Sequence, residues 1–179
     1  SNGVKLPLNH YRSTITLSRK RSDKPKFQTP TIKESKIDGA TFYKDGSLFQ
    51  GPFYQGIEAV LSIEKDQVLL KCKAPAVSLE TQGQFPSTSL NAFFLDIQYQ
   101  GMILWVQKYH NGANSLPLQT IEGLVYGEIP ANKSFYVHMK IQENSAIKMI
   151  ADITVYDENR DVFLFTEGAG LTVSEGLTW

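Results

Sequence analysis

Only one cysteine, Cys72, stands in the 179 residues. A lone thiol forms no internal disulfide, so the fold has no covalent staple and nothing points to an oxidising compartment. Excess charge of either sign is missing as well. Eighteen basic residues cancel eighteen acidic ones, which removes the electrostatic case for nucleic acid or an anionic membrane as partner. No apolar run reaches the ~20 residues of a membrane-spanning helix. The opening Ser1-Asn2-Gly3 is polar and lacks the apolar stretch of a secretory leader, so the expected location is cytoplasmic. Ser-Asn also resembles the remnant of a cleaved tag, which suggests a piece cut from something larger. Histidine is scarce: His10, His110 and His138 are the three, and no pair has the spacing of metal ligands. The GxGxxG, P-loop, CxxC, HExxH and GxSxG patterns are absent. No metal or bound cofactor is expected.

What is present is a single domain's worth of apolar side chains: 41% of the residues are hydrophobic, enough at this length for one well-buried core. They concentrate in Ser89 to Asn111, where Phe93, Phe94, Leu95, Ile97, Tyr99, Met102, Ile103, Leu104, Trp105 and Val106 leave almost no polar face. A helix apolar all round is a buried helix, expected from about Asn91 to Tyr109, with Ser89 or Asn91 as its cap. Asp96 and Gln100 interrupt it four residues apart, one turn above the other on one face. Burying a carboxylate costs free energy unless something pairs with it. The two residues are therefore candidates for function, against the plainer readings of a cap or a solvated position.

Around this helix the sequence reads as strands. Tyr11 to Leu17 alternates over one strand's length, and residues 18–36, rich in Lys and Arg with two prolines, form an exposed linker in preference to a phosphate-binding patch. Residues 1–40 are thus an N-terminal strand and basic arm, and residues 41–179 the main domain. Ile57 to Ile63 and Val68 to Cys72 form a hairpin across Glu64-Lys65-Asp66-Gln67. Residues 74–88 are loop, and Asn111-Gly112 stops the helix. Phe135, Val137, Met139 and Ile141 alternate with polar neighbours. Ile147 to Tyr156, Val162 to Phe165 and Leu171 to Val173 complete the set. The plan is α+β: five or six antiparallel strands wrapped round a long central helix.

At this point the residues resemble a known family. Leu95-Asp96-x-x-x-Gln100 is similar to the L-D-x-x-x-Q/H motif of polyketide synthase dehydratase domains. Gln50-Gly51-Pro52-Phe53-Tyr54-Gln55-Gly56-Ile57 resembles their Y-G-P-x-F-x-G-L stretch, and Ser115-Leu116-Pro117 a Leu-Pro segment beyond the helix. The three landmarks fall in order over residues 40–118, as in the C-terminal half of that double hotdog in polyketide or polyunsaturated fatty acid synthases. Gln50 stands where the family usually has Tyr or His, and Asn91-Ala92 where it has His-Pro.

The resemblance implies a hotdog fold and loss of water from a 3-hydroxyacyl group, with the substrate carried on the phosphopantetheine of an acyl carrier protein. It implies catalytic roles for Asp96, as general acid, and Gln100. It also implies a substrate-binding wall of Gly51, Pro52, Tyr54, Phe93, Leu116 and Pro117. The family's base lies in an H-x-x-x-G-x-x-x-x-P motif, which this chain lacks. His110, fourteen residues beyond Asp96, would lie roughly 21 Å along the helix axis, and His138 falls among the polar positions of its strand. The implied partners are the carrier protein and an upstream hotdog or other synthase domains, with a homodimer as a further possibility. A product-template-like cyclase half and a non-catalytic scaffolding or dimerising hotdog stand as alternatives.

Overall fold

The structure, a computed structural model, describes residues 12–18, 22–31, 36–84, 86, 92–128 and 131–177. Its centre is the expected helix, α2, Ala92–Tyr109. From Phe94 to Val106 every residue is buried or half-buried, with Trp105, Met102 and Ile97 fully enclosed. The helix ends where Asn111 and Gly112 take positive φ angles of 53° and 78°. That conformation closes a helix, and glycine adopts it without a Cβ penalty. The cap candidates Ser89 and Asn91 lie outside the described residues.

Eight strands form one antiparallel sheet around α2. They are β1 (Ile37–Asp38), β2 (Ile57–Ile63), β3 (Gln67–Lys73), β4 (Asn114–Gln119), β5 (Glu122–Val125), β6 (Ser134–Asn144), β7 (Lys148–Tyr156) and β8 (Val162–Ser174). Their order is β1-β2-β3-β6-β7-β8-β4, and β5 also pairs with β8. A short helix α1, Ala40–Lys44, and a 3-10 turn, Pro52–Tyr54, precede β2.

The central strands put Val68, Leu70 and Cys72, Val137 and Met139, and Ile153 and Val155 into the same core as the helix. This is the strict two-residue alternation of a sheet with one face inward. The count exceeds the expected five or six because β1, β4 and β5 are short or mostly exposed and carry little alternation. In the other direction, the two segments read at Val162–Phe165 and Leu171–Val173 are one 13-residue strand. The gap between them is a bulge: Gly168 takes φ 61°, its N–H donates to Asp152 Oδ1 at 2.9 Å, and the register to β7 shifts there. A bulge is an extra residue within a strand, so it breaks the alternation without ending the pairing. β8 pairs with β5 over its first half and β4 over its second.

The N-terminal segment departs from expectation. Residues 12–18 form no strand; Ile15 and Leu17 are 78% and 89% exposed. Alternation alone fails without an edge to pair with. The linker is docked in part. Lys26 bridges Asp161 at 2.8 Å, Phe27 N–H donates to Arg160 O at 2.8 Å, and the Phe27 ring sits 4.5 Å from Tyr156 and 5.2 Å from His138. It thereby covers a second apolar patch, Leu69, Tyr156 and Val162, on the outer face of the sheet.

Two glycines set how closely the helix lies on its surroundings. A Cβ on Gly101 would sit 2.8 Å from Leu70 Cδ1 and 2.9 Å from Met139 Cε, and one on Gly56 only 2.1 Å from Ile97 Cδ1 and 2.9 Å from Lys73 O. The Gly56 contact involves backbone, so it cannot be relieved by a rotamer change alone. Gly56→Ala should cost about 1–3 kcal/mol in urea denaturation, the usual range for overpacking a core.

Burial also acts on His138. Enclosure beneath Phe27 pulls its pKa down to about 4, with help from Lys140 and against the opposing pull of Asp66. Between about pH 6.5 and 4 the unfolded chain binds this proton and the folded one does not, so stability must fall as pH falls through that window. The loss should be on the order of 1–3 kcal/mol. His138→Gln should flatten it, as read by denaturation midpoints at pH 7 and 4.5.

Candidate active site around Asp96

Asp96 lies in the second turn of α2, half-buried. The adjoining positions Leu95 and Ile97 belong to the core or pack on it. On its own face, one turn back, is Phe93, whose ring meets Tyr54 at 4.6 Å and Phe53 at 5.8 Å. The 3-10 turn is thus pressed on the first turn of the helix. It is pinned there by Gly51 at its start in extended conformation and by Pro52, whose missing N–H costs nothing at a helix's first position.

The polar groups of this region form one chain. Gln100, fully buried, donates from Nε2 to Asp96 Oδ2 at 2.8 Å and to the Tyr54 carbonyl at 2.7 Å. Its Oε1 accepts the Tyr43 hydroxyl at 2.6 Å, and that hydroxyl accepts the Ile57 N–H at 3.0 Å. Every donor is therefore matched to an acceptor, and the amide has one orientation consistent with the set. Because Ile57 N–H occupies the Tyr43 oxygen as donor, Tyr43 must donate to Gln100, which leaves Nε2 to face Asp96. Burial drives the Tyr43 pKa up strongly, which keeps it a hydroxyl. Gln50, also buried, is a second polar side chain that favours the carboxylate form of Asp96. Gln55 Nε2 holds the Gln50 carbonyl at 3.0 Å.

The result is a carboxyl group with two opposed influences. Burial raises its pKa, the larger effect, while hydrogen bonds from Gln100 and Gln50 lower it. The balance lies above the ordinary carboxylate value, the direction a proton donor needs near neutral pH.

Of the sequence candidates, Asp96, Gln100, Tyr54 and Phe93 come together, and Gly51 and Pro52 shape the turn that carries Tyr54. Leu116 and Pro117 lie on β4, paired with Thr172 and Leu171. No hydrogen bond among the described residues ties them to the Asp96 group, and Leu116 is 41% exposed. Tyr43 and Gln55 join the site without any signal in the sequence. Tyr43 sits in a five-residue helix too short to leave a periodic signal, and its role depends on a fold-level contact across 57 positions. His110 Nε2 donates to Asn144 Oδ1 at 2.7 Å beyond the far end of the helix. His138 is on the outer face of the sheet under Phe27, and His10 lies outside the described residues.

Two substitutions probe this chain of bonds. Tyr43→Phe strands the Ile57 N–H and Gln100 Oε1, and should cost about 1–3 kcal/mol of stability. Gln100→Met removes a bond that favours the carboxylate, so the Asp96 pKa should rise further, as read from its carboxyl carbon shift in an NMR titration.

No family model matches the chain. It is 28% identical over 145 residues to one subunit of the polyunsaturated fatty acid synthase of a Thraustochytrium species, an alignment that covers 78% of this chain and 5% of that much longer protein. Its fold is shared by solved structures, of which three serve as examples. A dehydratase domain of a trans-AT polyketide synthase from Brevibacillus brevis superposes with a TM-score of 0.69 at 21% identity, over 88% of this chain and 56% of that one. The dehydratase domain from the CurF module of curacin polyketide synthase gives 0.68 at 17%, over 87% and 55%. The dehydratase domain of RzxB from Pseudomonas fluorescens gives 0.64 at 14%, over 84% and 54%. The chain therefore spans about half of each dehydratase domain and a small part of the fatty acid synthase polypeptide. No helix among the described residues is long and apolar enough to cross a membrane. The chain is a hotdog domain with the fold of polyketide synthase dehydratase domains, and its sequence is related to that of a polyunsaturated fatty acid synthase.

Proposed function

We propose that the chain is the acid-bearing half of a dehydratase that converts a 3-hydroxyacyl group on an acyl carrier protein to the 2-enoyl group. The observation that carries this reading is Asp96: a carboxyl group half-sunk in an apolar helix, held above its ordinary pKa and gripped at 2.8 Å by Gln100. Hydroxide is a poor leaving group, so the C–O bond breaks only as a proton arrives. Protonated Asp96 gives that proton to the 3-hydroxyl, the C3–O bond breaks, and water leaves. The electrons come from the C2–H bond, whose proton goes to a base on another hotdog. Phe93 and the Tyr54 ring offer an apolar ledge for the acyl chain beside the carboxyl group. The reaction needs no metal or redox cofactor; the carrier's phosphopantetheine brings the thioester.

Neither described histidine is placed to serve as that base. His110 is hydrogen-bonded beyond the far end of the helix, and His138 is buried on the opposite face of the sheet. The carrier protein, a histidine-bearing hotdog and neighbouring synthase domains are the partners this reading requires. The synthase relationship supports it, since the relative is a polypeptide far longer than this chain.

The test is dehydration of a 3-hydroxyacyl carrier-protein substrate. The chain alone should be inactive, and the chain with a histidine-bearing hotdog active. Asp96→Asn should then lower kcat by about 10²–10⁴-fold without unfolding the protein. The wild-type rate should fall as pH rises through the Asp96 pKa, because the acid must hold its proton. Robust turnover by the isolated chain, or activity surviving Asp96→Asn, would overturn the assignment.

A further inference from the structure

One polar atom beside Asp96 has no partner. Gln50 is 9% exposed, and among the described residues its Oε1 accepts no hydrogen bond. The rest of the residue has defined partners: its carbonyl accepts from Gln55, and its side-chain amide favours the carboxylate form of Asp96. A buried, unpartnered acceptor is costly, and native structures rarely keep one without use. The contrast with Gln100 is direct. Both glutamines flank Asp96, and Gln100 has every donor and acceptor occupied, whereas Gln50 keeps its oxygen open.

We infer that Gln50 Oε1 is the acceptor for the hydroxyl hydrogen of a substrate alcohol whose oxygen is aimed at Asp96, and that it makes the site select a 3-hydroxyacyl group over the corresponding 3-oxoacyl and saturated acyl groups. This rests on the reading of Asp96 as proton donor and adds the substrate feature that the site recognises. An alcohol is both donor and acceptor. Its lone pair takes the Asp96 proton while its O–H is held by Gln50, which turns the lone pair toward the acid. A ketone oxygen has no hydrogen to give. It could accept from Asp96, but it would leave Gln50 Oε1 unpaired and face it acceptor to acceptor. A saturated chain offers neither group, and neither does the enoyl product at C3, so the product loses both contacts once water has gone. A site built to hydrogen-bond a substrate hydroxyl rejects analogues that lack it, because its own polar group is then stranded. The chain would accordingly act after a ketone reduction and would ignore the unreduced precursor.

The test is binding to the full chain of three pantetheine thioesters, 3-hydroxybutyryl, 3-oxobutyryl and butyryl, by calorimetry, with the Asp96 carboxyl carbon followed by NMR. The hydroxy ligand should bind about five- to tenfold tighter than either of the others, the range expected for one net hydrogen bond. Gln50→Met keeps the length of the side chain and removes both polar atoms. It should bind butyryl-pantetheine as the wild type does and bring the three affinities within about twofold of one another. A merely structural Gln50 would instead leave the discrimination intact. Equal wild-type affinities with the Asp96 signal shifting, or a preference for the ketone, would overturn the role of Gln50 while leaving the acid assignment standing. Absence of any Asp96 shift with all three ligands would overturn both. The wild-type comparison decides the matter even if the variant does not fold.

Discussion

The helix Ala92–Tyr109 has nowhere to show water. From Phe94 to Val106 it is buried or half-buried at each position, so its apolar surface must be covered on nearly all sides by other chain. A flat sheet covers one face only. Eight antiparallel strands that curl about the helix cover most of it, and the short α1 and 3-10 turn close part of the remainder. The glycines follow from the same demand. Gly101 lets the helix lie directly on Leu70 and Met139, and Gly56 lets the entry to β2 cross over Ile97. With side chains there, the turn carrying Gln50 and Tyr54 would stand off from Asp96.

That close approach explains the polar chain as well. A glutamine and a carboxyl group cannot sit in such a helix unless their hydrogen bonds are met inside the protein. The Tyr54 carbonyl, the Tyr43 hydroxyl and the Ile57 N–H meet those of Gln100. All three belong to residues 43–57, the segment that Gly56 allows to come near. The position of the acid, the orientation of Gln100 and the packing of the helix are thus one constraint. Gln100 does not merely touch Asp96: its amide direction is dictated by Tyr43, which in turn is dictated by a backbone donor at the start of β2. The orientation of the proposed catalytic group is therefore anchored in the sheet.

Much of this was legible in the residues, and the reasons for success and failure are physical. The helix was legible because all-round apolarity from Phe93 to Val106 has one structural meaning. The Asp96–Gln100 contact was legible because i, i+4 spacing is a local property of a helix. The hairpin β2–β3 and strands β6 and β7 carry clean alternation with a covered inner face. Elements set by tertiary contact were not legible. β4 and β5 are mostly exposed and exist because β8 offers them an edge. The bulge at Gly168 hid the continuity of β8. Residues 12–18 alternate but have no edge to join. Tyr43 lies 57 positions from Gln100, and Phe27 docks on an outer patch formed by three strands; no local pattern encodes either. The Leu116-Pro117 landmark was visible as sequence, yet no bond among the described residues links it to Asp96.

On the proposed reading, the histidines show why the acid calls for a base from elsewhere. The inner face of the sheet is filled by Val60, Leu70, Cys72, Val137, Met139, Ile153 and Val155 against the helix, and none of these is a histidine. The outer face does hold one, His138, but burial there brings its pKa to about 4, which makes it a poor proton acceptor at neutral pH even before its distance from the helix is considered. The helix itself can place a second group near Asp96 only at positions one turn away. Those are Ala92, Phe93, Tyr99 and Gln100: Phe93 meets the Tyr54 ring, the Tyr99 hydroxyl is bonded to Thr120, and Gln100 donates to the carboxyl group. Phe53 and Tyr54, which meet Phe93 on the Asp96 face of the helix, are both substantially exposed. On the proposed reading, substrate and base reach Asp96 from that side. On that reading a single hotdog presents an acid whose pKa is raised by burial and whose orientation is fixed, and the complementary group comes from a different backbone, where its own surroundings can favour the opposite protonation state.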